Sequence, residues 1–196
     1  MEIAKTYSYR HAEAIMEHEY SQEMAEIREV IGGVAWVALP QPKVRRRDGR
    51  VVCIKTIDQV KTNVVVERAF KALDWQIKPE IVSESDSKLA ADYKKGNIQV
   101  EVQFGNMARW YTDIFKFLLS YSANDIEIGV LIVPMHVSAN CIDENVVYFE
   151  RVIRELPHAK MAVTIPVWVV GVNGGVPVPD GWQPPVEVAN PDEGSD

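Results

Sequence analysis

A run of seven residues near the middle of the chain constrains its fold more strongly than any other stretch. Over residues 98–104, apolar side chains alternate strictly with polar ones. A period of two is typical of a β-strand, because successive side chains of a strand point to opposite faces. We therefore predict a strand whose apolar face carries Ile98, Val100, Val102 and Phe104, and whose other, edge-facing surface carries Gln99, Glu101 and Gln103.

The residues just before this strand have the chemistry of a tight turn. Lys95-Gly96-Asn97 supplies the glycine and the asparagine that hairpin turns favour. A hairpin closing there would return Asp92, nine residues upstream of Glu101, toward that glutamate. Two converging carboxylates can bind a hard cation that prefers oxygen ligands, such as Mg²⁺. Taken alone, the same residues also fit the solvated polar face of an ordinary sheet.

The composition indicates one globular domain and limits its partners. With 196 residues, 47% of them hydrophobic, the chain can bury a real core. Its net charge of −7 argues against a protein coated in positive charge for non-specific nucleic-acid binding. A locally basic cleft stays open as an alternative, because the field at the site is what steers a polyanion.

Several functional classes lack their sequence signatures here. The chain contains no GxxxxGK[ST] phosphate loop and no GxSxG nucleophile motif. Cys53 and Cys141 follow no metal or redox spacing and are interpreted as free thiols in a reducing compartment. No apolar run is long enough to span a bilayer, and the N-terminus does not resemble a secretory leader. We therefore expect a cytoplasmic protein with no membrane partner.

Hydrophobic periodicity predicts alternating helices and strands along the rest of the chain. Helices are predicted over 10–31 (two helices meeting near 19–21), 63–73, 108–121 and from about 147 to 156, and strands over 34–39, 98–104, 126–135 and 161–172. This alternation indicates an α/β fold with a mixed central β-sheet flanked by helices. We expect a single domain over 1–180 and a loose, acidic, Pro-rich C-terminal tail over 181–196.

The one dense cluster of positive charge lies at 40–50, between prolines and a glycine, and is interpreted as a loop. It contains Lys43, Arg45, Arg46, Arg47 and Arg50. Such a cluster can bind DNA phosphates, and we predict that contact for Arg45, Arg46 and Arg47. A loop that serves only solubility is the alternative.

The run Val100-Glu101-Val102-Gln103-Phe104-Gly105-Asn106, with Asp92 at its spacing, resembles the active-site region of the BglII/BstYI type of restriction endonuclease. Those enzymes belong to the PD-(D/E)xK nuclease superfamily and carry Glu-x-Gln where most members carry Glu-x-Lys. The likeness continues through Asp113-Ile114-Phe115-Lys116 and covers roughly residues 60–155 in order. The resemblance implies a restriction-endonuclease-like core.

The same resemblance implies roles for individual residues of the site. Asp92 matches the metal-binding aspartate, Glu101 the catalytic glutamate and metal ligand, and Gln103 the glutamine in the place of lysine. The backbone carbonyl of Val102 would be a further ligand of Mg²⁺, for which Mn²⁺ can substitute. Glu67 is a weaker candidate that would act outside the immediate ligands, and an ordinary acid on a helix surface is its alternative.

The resemblance also implies where DNA sequence is read. Asn106, just beyond the strand, matches a base-contacting position, and asparagine can pair bidentately with adenine. Ser138 and Asn140 fall in a predicted polar loop, 136–144, which matches another recognition loop. For both asparagines, ordinary turn formation is the alternative.

The function implied is that of a Mg²⁺-dependent type II restriction endonuclease. It would cleave double-stranded DNA at a palindrome with a GATC core, RGATCY or AGATCT-like, and leave 5′ overhangs. A homodimer is implied, with the predicted helix 108–121 at its interface, together with a cognate DNA methyltransferase that protects host sites. The alternatives are a structure-specific repair or recombination nuclease, a catalytically silent DNA-binding protein, and an unrelated α/β domain with a coincidental motif.

Overall fold

The computed structural model describes residues 1–47, 49–81 and 88–175, apart from the side chains of Arg47 and Val52. The elements run in the order β1 (Glu2–Tyr9), α1 (Ala12–Glu19), α2 (Ser21–Gly33), β2 (Ala38–Arg47), β3 (Arg50–Ile57), α3 (Gln59–Ala72), β4 (Gln76–Ile77), β5 (Tyr93–Lys95), β6 (Ile98–Val102), α4 (Arg109–Ser122), β7 (Ile128–Pro134), α5 (His136–Ile142), α6 (Phe149–Glu155), a 3₁₀ turn (Leu156–Ala159) and β8 (Val167–Asn173). The predicted tail 181–196 lies outside the described residues.

Six strands form a mixed central sheet in the order β1-β8-β7-β6-β5-β4. The pairs β6–β7 and β7–β8 are parallel, and the other three pairs are antiparallel. Helices α4 and α6 supply the core on one face of the sheet, while α1, α2 and α3 supply it on the other. The predicted α/β fold, with a mixed sheet flanked by helices, is therefore confirmed.

Strand β7 shows that the centre of the sheet is covered on both faces. All seven of its residues are buried, as expected for a central parallel strand. Helix α4 is the connection between the parallel neighbours β6 and β7, and it packs closely against the sheet. A Cβ added at Gly129 would lie 2.7 Å from ring carbons of Phe117 on α4. Glycine at this position therefore lets the aromatic ring of the crossover helix rest directly on the strand.

The polar face of β6 lies beneath α4 and is not an edge-facing or solvated surface. Gln99, Glu101 and Gln103 are buried, at 1%, 0% and 9% exposure. This part of the prediction is wrong because alternation identifies two faces without identifying what covers them. Parallel strands require a crossover connection, and here the crossover helix covers the polar face.

Several boundaries differ from the sequence-based prediction. Strand β1 was not predicted, and it pairs with β8 at one edge of the sheet. Helix α3 begins four residues before the predicted start at 63, because the Asp58 side chain accepts a hydrogen bond from Lys61 N and caps it. The segment 136–144, predicted as a loop, contains the helix α5. The strand predicted at 34–39 begins only at Ala38, and that predicted at 161–172 begins after Pro166.

Within the described ranges, no helix is both long and apolar enough to cross a membrane.

Candidate active site

The turn between β5 and β6 returns Asp92 to the strand that carries Glu101. Gly96 occupies the turn with φ +53°, a conformation that favours glycine. Tyr93 pairs with Val100, so the preceding residue, Asp92, reaches the level of Glu101 on the same face. One carboxylate oxygen of Asp92, Oδ2, accepts a hydrogen bond from Val102 N at 2.9 Å. The predicted hairpin is present, and it fixes Asp92 against the end of β6.

A cavity of about 540 Å³ opens where β6 ends, between α3 and α4. The strand side of its wall is formed by Asp92, Tyr93, Val102 and Gln103. Helix α3 contributes Gln59, Val60, Asn63, Val64 and Glu67, and helix α4 contributes Arg109, Thr112, Asp113 and Lys116. The walls therefore combine carboxylates, amides and cations around one open space.

Glu101 is fully buried at the base of this site and has a partner for each oxygen. Its Oε1 accepts from Gln99 Nε2 at 2.8 Å, and its Oε2 accepts from Lys116 Nζ at 2.7 Å. Gln99 in turn accepts a hydrogen bond from Ser120 on α4 at 2.7 Å. The strand and the crossover helix therefore hold the glutamate in one orientation behind the cavity wall.

Gln103 has an equally defined orientation. Its Nε2 donates to Asp113 Oδ2 at 2.7 Å, and its Oε1 accepts from Gly105 N at 3.1 Å. Asp113 Oδ1 also forms an ion pair with Lys116 Nζ, which lies 3.2 Å away. The Gln103 amide is thus held against α4 through Asp113.

Two buried carboxylates, Glu101 and Asp113, and the half-buried Asp92 accompany one ammonium group, that of Lys116, so negative charge is in excess. Burial, together with the neighbouring charge of Asp92, raises the pKa of Glu101 to about 8 against the opposing effect of Lys116. Burial also raises the pKa of Asp92 and of Asp113 above their ordinary values. Burial works to lower the pKa of Lys116, but the carboxylates, led by Glu101, raise it overall, which keeps the ammonium charged. Excess buried negative charge favours binding of a cation.

The donor set at this point fits Mg²⁺. Asp92 Oδ1 receives no hydrogen bond from any residue that the structure describes, and Asp92 lines the cavity beside Val102. No group of three or more His, Cys, Asp or Glu side chains arranged as a metal cage occurs in the described part of the chain. Mg²⁺ needs no such cage, because it keeps several waters and binds through one or two carboxylates together with substrate phosphates.

A protein-family comparison decides which family the chain belongs to. The model of the family described as "Restriction endonuclease BglII/BglIII" matches residues 4–172. The chain belongs to the BglII/BglIII restriction endonuclease family. Its enzyme class is therefore confirmed as a type II site-specific deoxyribonuclease, and the alternative of an unrelated domain with a coincidental motif is wrong.

Two solved structures share the fold of this BglII/BglIII-family protein. The crystal structure of the restriction endonuclease BglII complexed with a DNA 16-mer has a TM-score of 0.72 at 20% identity, covering 89% of this chain and 78% of that chain. The crystal structure of free BglII has a TM-score of 0.60 at 19% identity, covering 89% of this chain and 81% of that chain. No curated protein sequence matches this chain significantly.

The residues expected to read bases in this BglII/BglIII-family chain lie in different environments. Asn106 is exposed, and its Oδ1 accepts from Ala108 N at 2.8 Å, so it also forms the predicted turn. Asn140 is exposed on α5. Ser138 is fully buried and donates to Asn173 Oδ1 at 2.7 Å. Its burial argues against a base contact in this conformation and indicates that Ser138 anchors α5 to β8.

The basic cluster is a β-hairpin, not a loop. Strands β2 and β3 pair antiparallel, with an irregularity in register between Arg45 and Arg46. Prolines are tolerated at such a hairpin because its strands belong to no larger sheet. We call this hairpin, residues 38–57, the basic arm. Its β3 strand contacts α5, where Cys53 Sγ donates to the backbone oxygen of Asn140 at 2.8 Å.

The cations of the basic arm differ in their partners. Arg45 forms ion pairs with Glu144 at 3.0 Å and with Asp143 at 3.6 Å. Lys55 also pairs with Asp143. Arg46 is exposed and donates to Gly49 O at 3.4 Å, and Arg47 lies in the strand, with its side chain outside the described atoms. Arg45 therefore has acidic partners before any DNA is bound, whereas among the described residues the partner of Arg46 is the backbone oxygen of Gly49.

Glu67 lies at the mouth of the cavity and forms an ion pair with Lys78 at 2.8 Å. Sequence reasoning did not assign roles to two residues that the structure places next to Glu101 and Gln103, namely Lys116 and Asp113. Their signal is present in the chain, because Asp113, Lys116 and Ser120 recur at helical spacing beside the apolar stripe of α4.

Proposed function

We propose that this restriction endonuclease hydrolyses both strands of a DNA palindrome with a GATC core, in a Mg²⁺-dependent reaction that leaves 5′ overhangs. The observation that carries the proposal is the juxtaposition of Asp92, Glu101 and Gln103 at the end of β6, beside a cavity of about 540 Å³. Family membership supplies the reaction class. The DNA bound in the BglII complex supports DNA as the partner of this chain.

In this proposal, Asp92 Oδ1, the carbonyl of Val102 and Glu101 would hold Mg²⁺, and Mn²⁺ could take its place. When bound, the ion supplies Lewis acidity at the scissile phosphate and lowers the pKa of a coordinated water. Glu101 orients the attacking water and accepts its proton. Asp113 keeps Gln103 in a fixed orientation, so that the Gln103 amide positions the phosphate or the water. Glu67, which is paired with Lys78 at the cavity mouth, acts outside the immediate ligands of the ion.

Recognition is assigned to residues around the cavity and on α5. Asn106 and Asn140 are exposed and carry amides that can pair with adenine in the major groove. Ser138 and Cys53 hold α5 in place through the contacts described above. The outer base pairs, which distinguish RGATCY from AGATCT, are to be read from the cleavage products.

Sequencing of run-off products from cleaved plasmid and phage DNA tests the function directly. Discrete ends at GATC-centred palindromes with 5′ overhangs are expected with Mg²⁺. Smears, or products that depend on DNA structure, would instead favour a repair or recombination nuclease. Absence of cleavage with both Mg²⁺ and Mn²⁺ would favour a silent DNA-binding protein. Resistance of host genomic DNA to the purified enzyme would support a cognate methyltransferase, and both proteins are expected to act in the cytoplasm.

A homodimer is proposed because a palindrome has two-fold symmetry and each subunit cuts one strand. The outer face of α4 is the proposed interface. It exposes Tyr111, Phe115 and Tyr121, with Phe115 54% exposed. An apolar groove of about 310 Å³ lies beside it, between α4 and the 3₁₀ turn.

We expect Phe115→Asp to convert the dimer to a monomer, because it places an unpaired charge at the centre of an apolar contact. Light scattering coupled to size exclusion measures the mass. Val137→Asp, at a similarly exposed apolar residue on α5, should leave the mass of the dimer unchanged. A Phe115→Asp protein that retains the mass of the dimer would place the interface elsewhere.

Replacing Arg45, Arg46 and Arg47 with glutamine should flatten the dependence of DNA affinity on salt. Each phosphate contact that is lost lowers the slope of log K against log salt by about 0.9. We expect Arg46→Gln alone to lower the slope more than Arg45→Gln alone, because Arg45 already has Asp143 and Glu144 as partners. Fluorescence anisotropy in EDTA measures the slope.

The control for the basic arm is the variant Lys5→Gln, which removes an exposed cation from the edge strand β1. An unchanged slope in the triple variant would assign the basic arm to solubility.

A further inference from the structure

Lys116 occupies a position in the site that no role described above explains. It extends from α4 toward β6, and its side chain is 14% exposed. Its Nζ lies 2.7 Å from Glu101 Oε2 and 3.2 Å from Asp113 Oδ1. The same side chain lines the cavity together with Asp92 and Gln103. The ammonium group is therefore next to the catalytic glutamate and also borders the space that the phosphate enters.

Strand β6 supplies no positive charge to this space, and Gln103, which follows it, is neutral. Three cationic side chains line the described part of the cavity: Lys78, Arg109 and Lys116. Lys78 is 68% exposed at the mouth and is paired with Glu67. Arg109 is exposed in the first turn of α4. Of the three, Lys116 lies deepest in the site. The dielectric is low there, so its positive charge stabilises nearby negative charge more strongly than an exposed charge would.

A lysine ammonium has three N–H donors. The Lys116 ammonium donates one of them to Glu101 Oε2 and forms an ion pair with Asp113 Oδ1, and these two carboxylates fix the position of the nitrogen. A further N–H is left for a ligand. Because Glu101 must lie within hydrogen-bond reach of the attacking water, the phosphorus that this water attacks lies near the same ammonium group.

We propose that Lys116 is a catalytic residue whose ammonium group donates to a non-bridging oxygen of the scissile phosphate. This inference rests on the proposed function. The water oxygen bonds to phosphorus as its proton passes to Glu101, and the bond from phosphorus to the leaving ester oxygen breaks, so that this oxygen departs as an alcohol once protonated. Charge develops on the non-bridging oxygens during this exchange, and a preformed donor at that point stabilises the charge without reorganisation. Asp113 has a positioning role, because it holds Lys116 with one oxygen and Gln103 with the other.

A purely structural role for Lys116 would be to neutralise buried carboxylates. The two roles differ in their effect on DNA. A phosphate contact contributes to counterion release, so its loss changes the salt dependence of binding, whereas an internal ion pair makes no such contribution.

The experiment compares Lys116→Met, which removes the charge, with Lys116→Arg, which keeps it. The control is Lys94→Met, at a partly buried lysine that pairs with Asp125 away from the cavity. Binding of a GATC-containing duplex is measured in EDTA across a salt series, so that no cleavage is needed. Single-turnover cleavage with saturating Mg²⁺ and thermal unfolding are measured on the same variants.

We expect Lys116→Met to lower the salt slope by about 0.9 and the single-turnover rate by roughly a hundredfold. Lys116→Arg should recover the slope and part of the rate, and Lys94→Met should leave both unchanged. An unchanged slope in Lys116→Met would overturn the phosphate contact, even if the rate or the unfolding temperature fell.

The test of the phosphate contact still gives an answer if Lys116→Met does not fold or if the wild-type protein does not cleave DNA. If Lys116→Met does not fold, the slope is measured on Lys116→Met combined with Glu101→Gln, against Glu101→Gln alone, because neutralising both partners leaves no unpaired buried charge. Absence of cleavage by the wild-type protein would refute the proposed function, while the binding slope in EDTA would still decide whether Lys116 contacts phosphate.

Discussion

Replacing Asp92 with asparagine will abolish DNA cleavage and leave the fold and DNA binding intact. Asparagine retains an oxygen that can accept the hydrogen bond from Val102 N, so the β5–β6 hairpin keeps its geometry. The substitution removes the carboxylate charge that faces the cavity, and with it the anionic ligand proposed for Mg²⁺. We expect the single-turnover rate to fall at least about a thousandfold, which corresponds to about 4 kcal/mol of transition-state stabilisation.

The measurement is single-turnover cleavage of an end-labelled duplex at saturating Mg²⁺, with affinity for the same duplex determined in EDTA. Removing one negative charge from a site that receives a polyanion should leave that affinity equal or slightly higher. Asp125→Asn is the matched control, since Asp125 pairs with Lys94 away from the cavity. Cleavage by Asp92→Asn at the wild-type rate would remove Asp92 from the metal site.

Glu101→Gln should make the protein more stable at pH 8 while it eliminates cleavage. Burial and the charge of Asp92 raise the pKa of Glu101 from 4.5 to about 8 in the folded protein. A raised carboxyl pKa contributes stability that is fully present below pH 4.5 and is lost as the pH rises toward 8. At about 1.4 kcal/mol per pH unit, the loss is at most roughly 5 kcal/mol.

The neutral amide does not titrate, so this pH-dependent loss disappears in Glu101→Gln. The hydrogen bonds can be kept as well. The Gln99 side chain can rotate so that its oxygen accepts from the new amide and its nitrogen donates to Ser120, while the amide oxygen still accepts from Lys116. The substitution therefore exchanges a buried charge with a proposed catalytic role for a buried amide whose hydrogen bonds are all made, a usual form of the conflict between activity and stability.

Urea unfolding in EDTA at pH 5, 6, 7 and 8 measures this effect. The free energy of unfolding of the wild type should fall across the series, and that of Glu101→Gln should fall much less. Mg²⁺ at pH 8 should raise the stability of the wild type by mass action and have little effect on the variant. Glu17→Gln, at an exposed acid of α1, is the control. Parallel pH curves for the wild type and Glu101→Gln would show that Glu101 titrates in its ordinary range.

The cluster around Glu101 lies directly beneath the crossover helix. Helix α4 connects β6 to β7, and it lies across the face that carries the side chains proposed to be catalytic. Its inner face places Lys116 and Asp113 against Glu101 and Gln103, and its outer face presents the aromatic residues proposed for the dimer. In this arrangement one helix joins the active site to the proposed subunit interface.

What the sequence determined by itself is largely local. The alternation over 98–104 predicts strand β6, and the helical spacing of Trp110, Ile114 and Phe117 predicts α4, because a side chain's periodicity follows from backbone geometry alone. The glycine in the turn before β6 predicts the hairpin that returns Asp92. The Glu-Val-Gln-Phe motif with Asp92 at its spacing was specific enough to indicate the family that the comparison confirms.

The tertiary structure alone decided what covers each face and which charges meet. Nothing in the alternation of β6 shows that its polar face is buried under α4, nor that Lys116 lies 2.7 Å from Glu101. The prolines at 40–42 concealed the hairpin of the basic arm, and the polar residues of 136–142 concealed α5. Both elements are stabilised by packing against each other, as where Cys53 contacts Asn140. Local periodicity carries no information about such long-range partners, because a pattern defines a face and only the fold defines its neighbour.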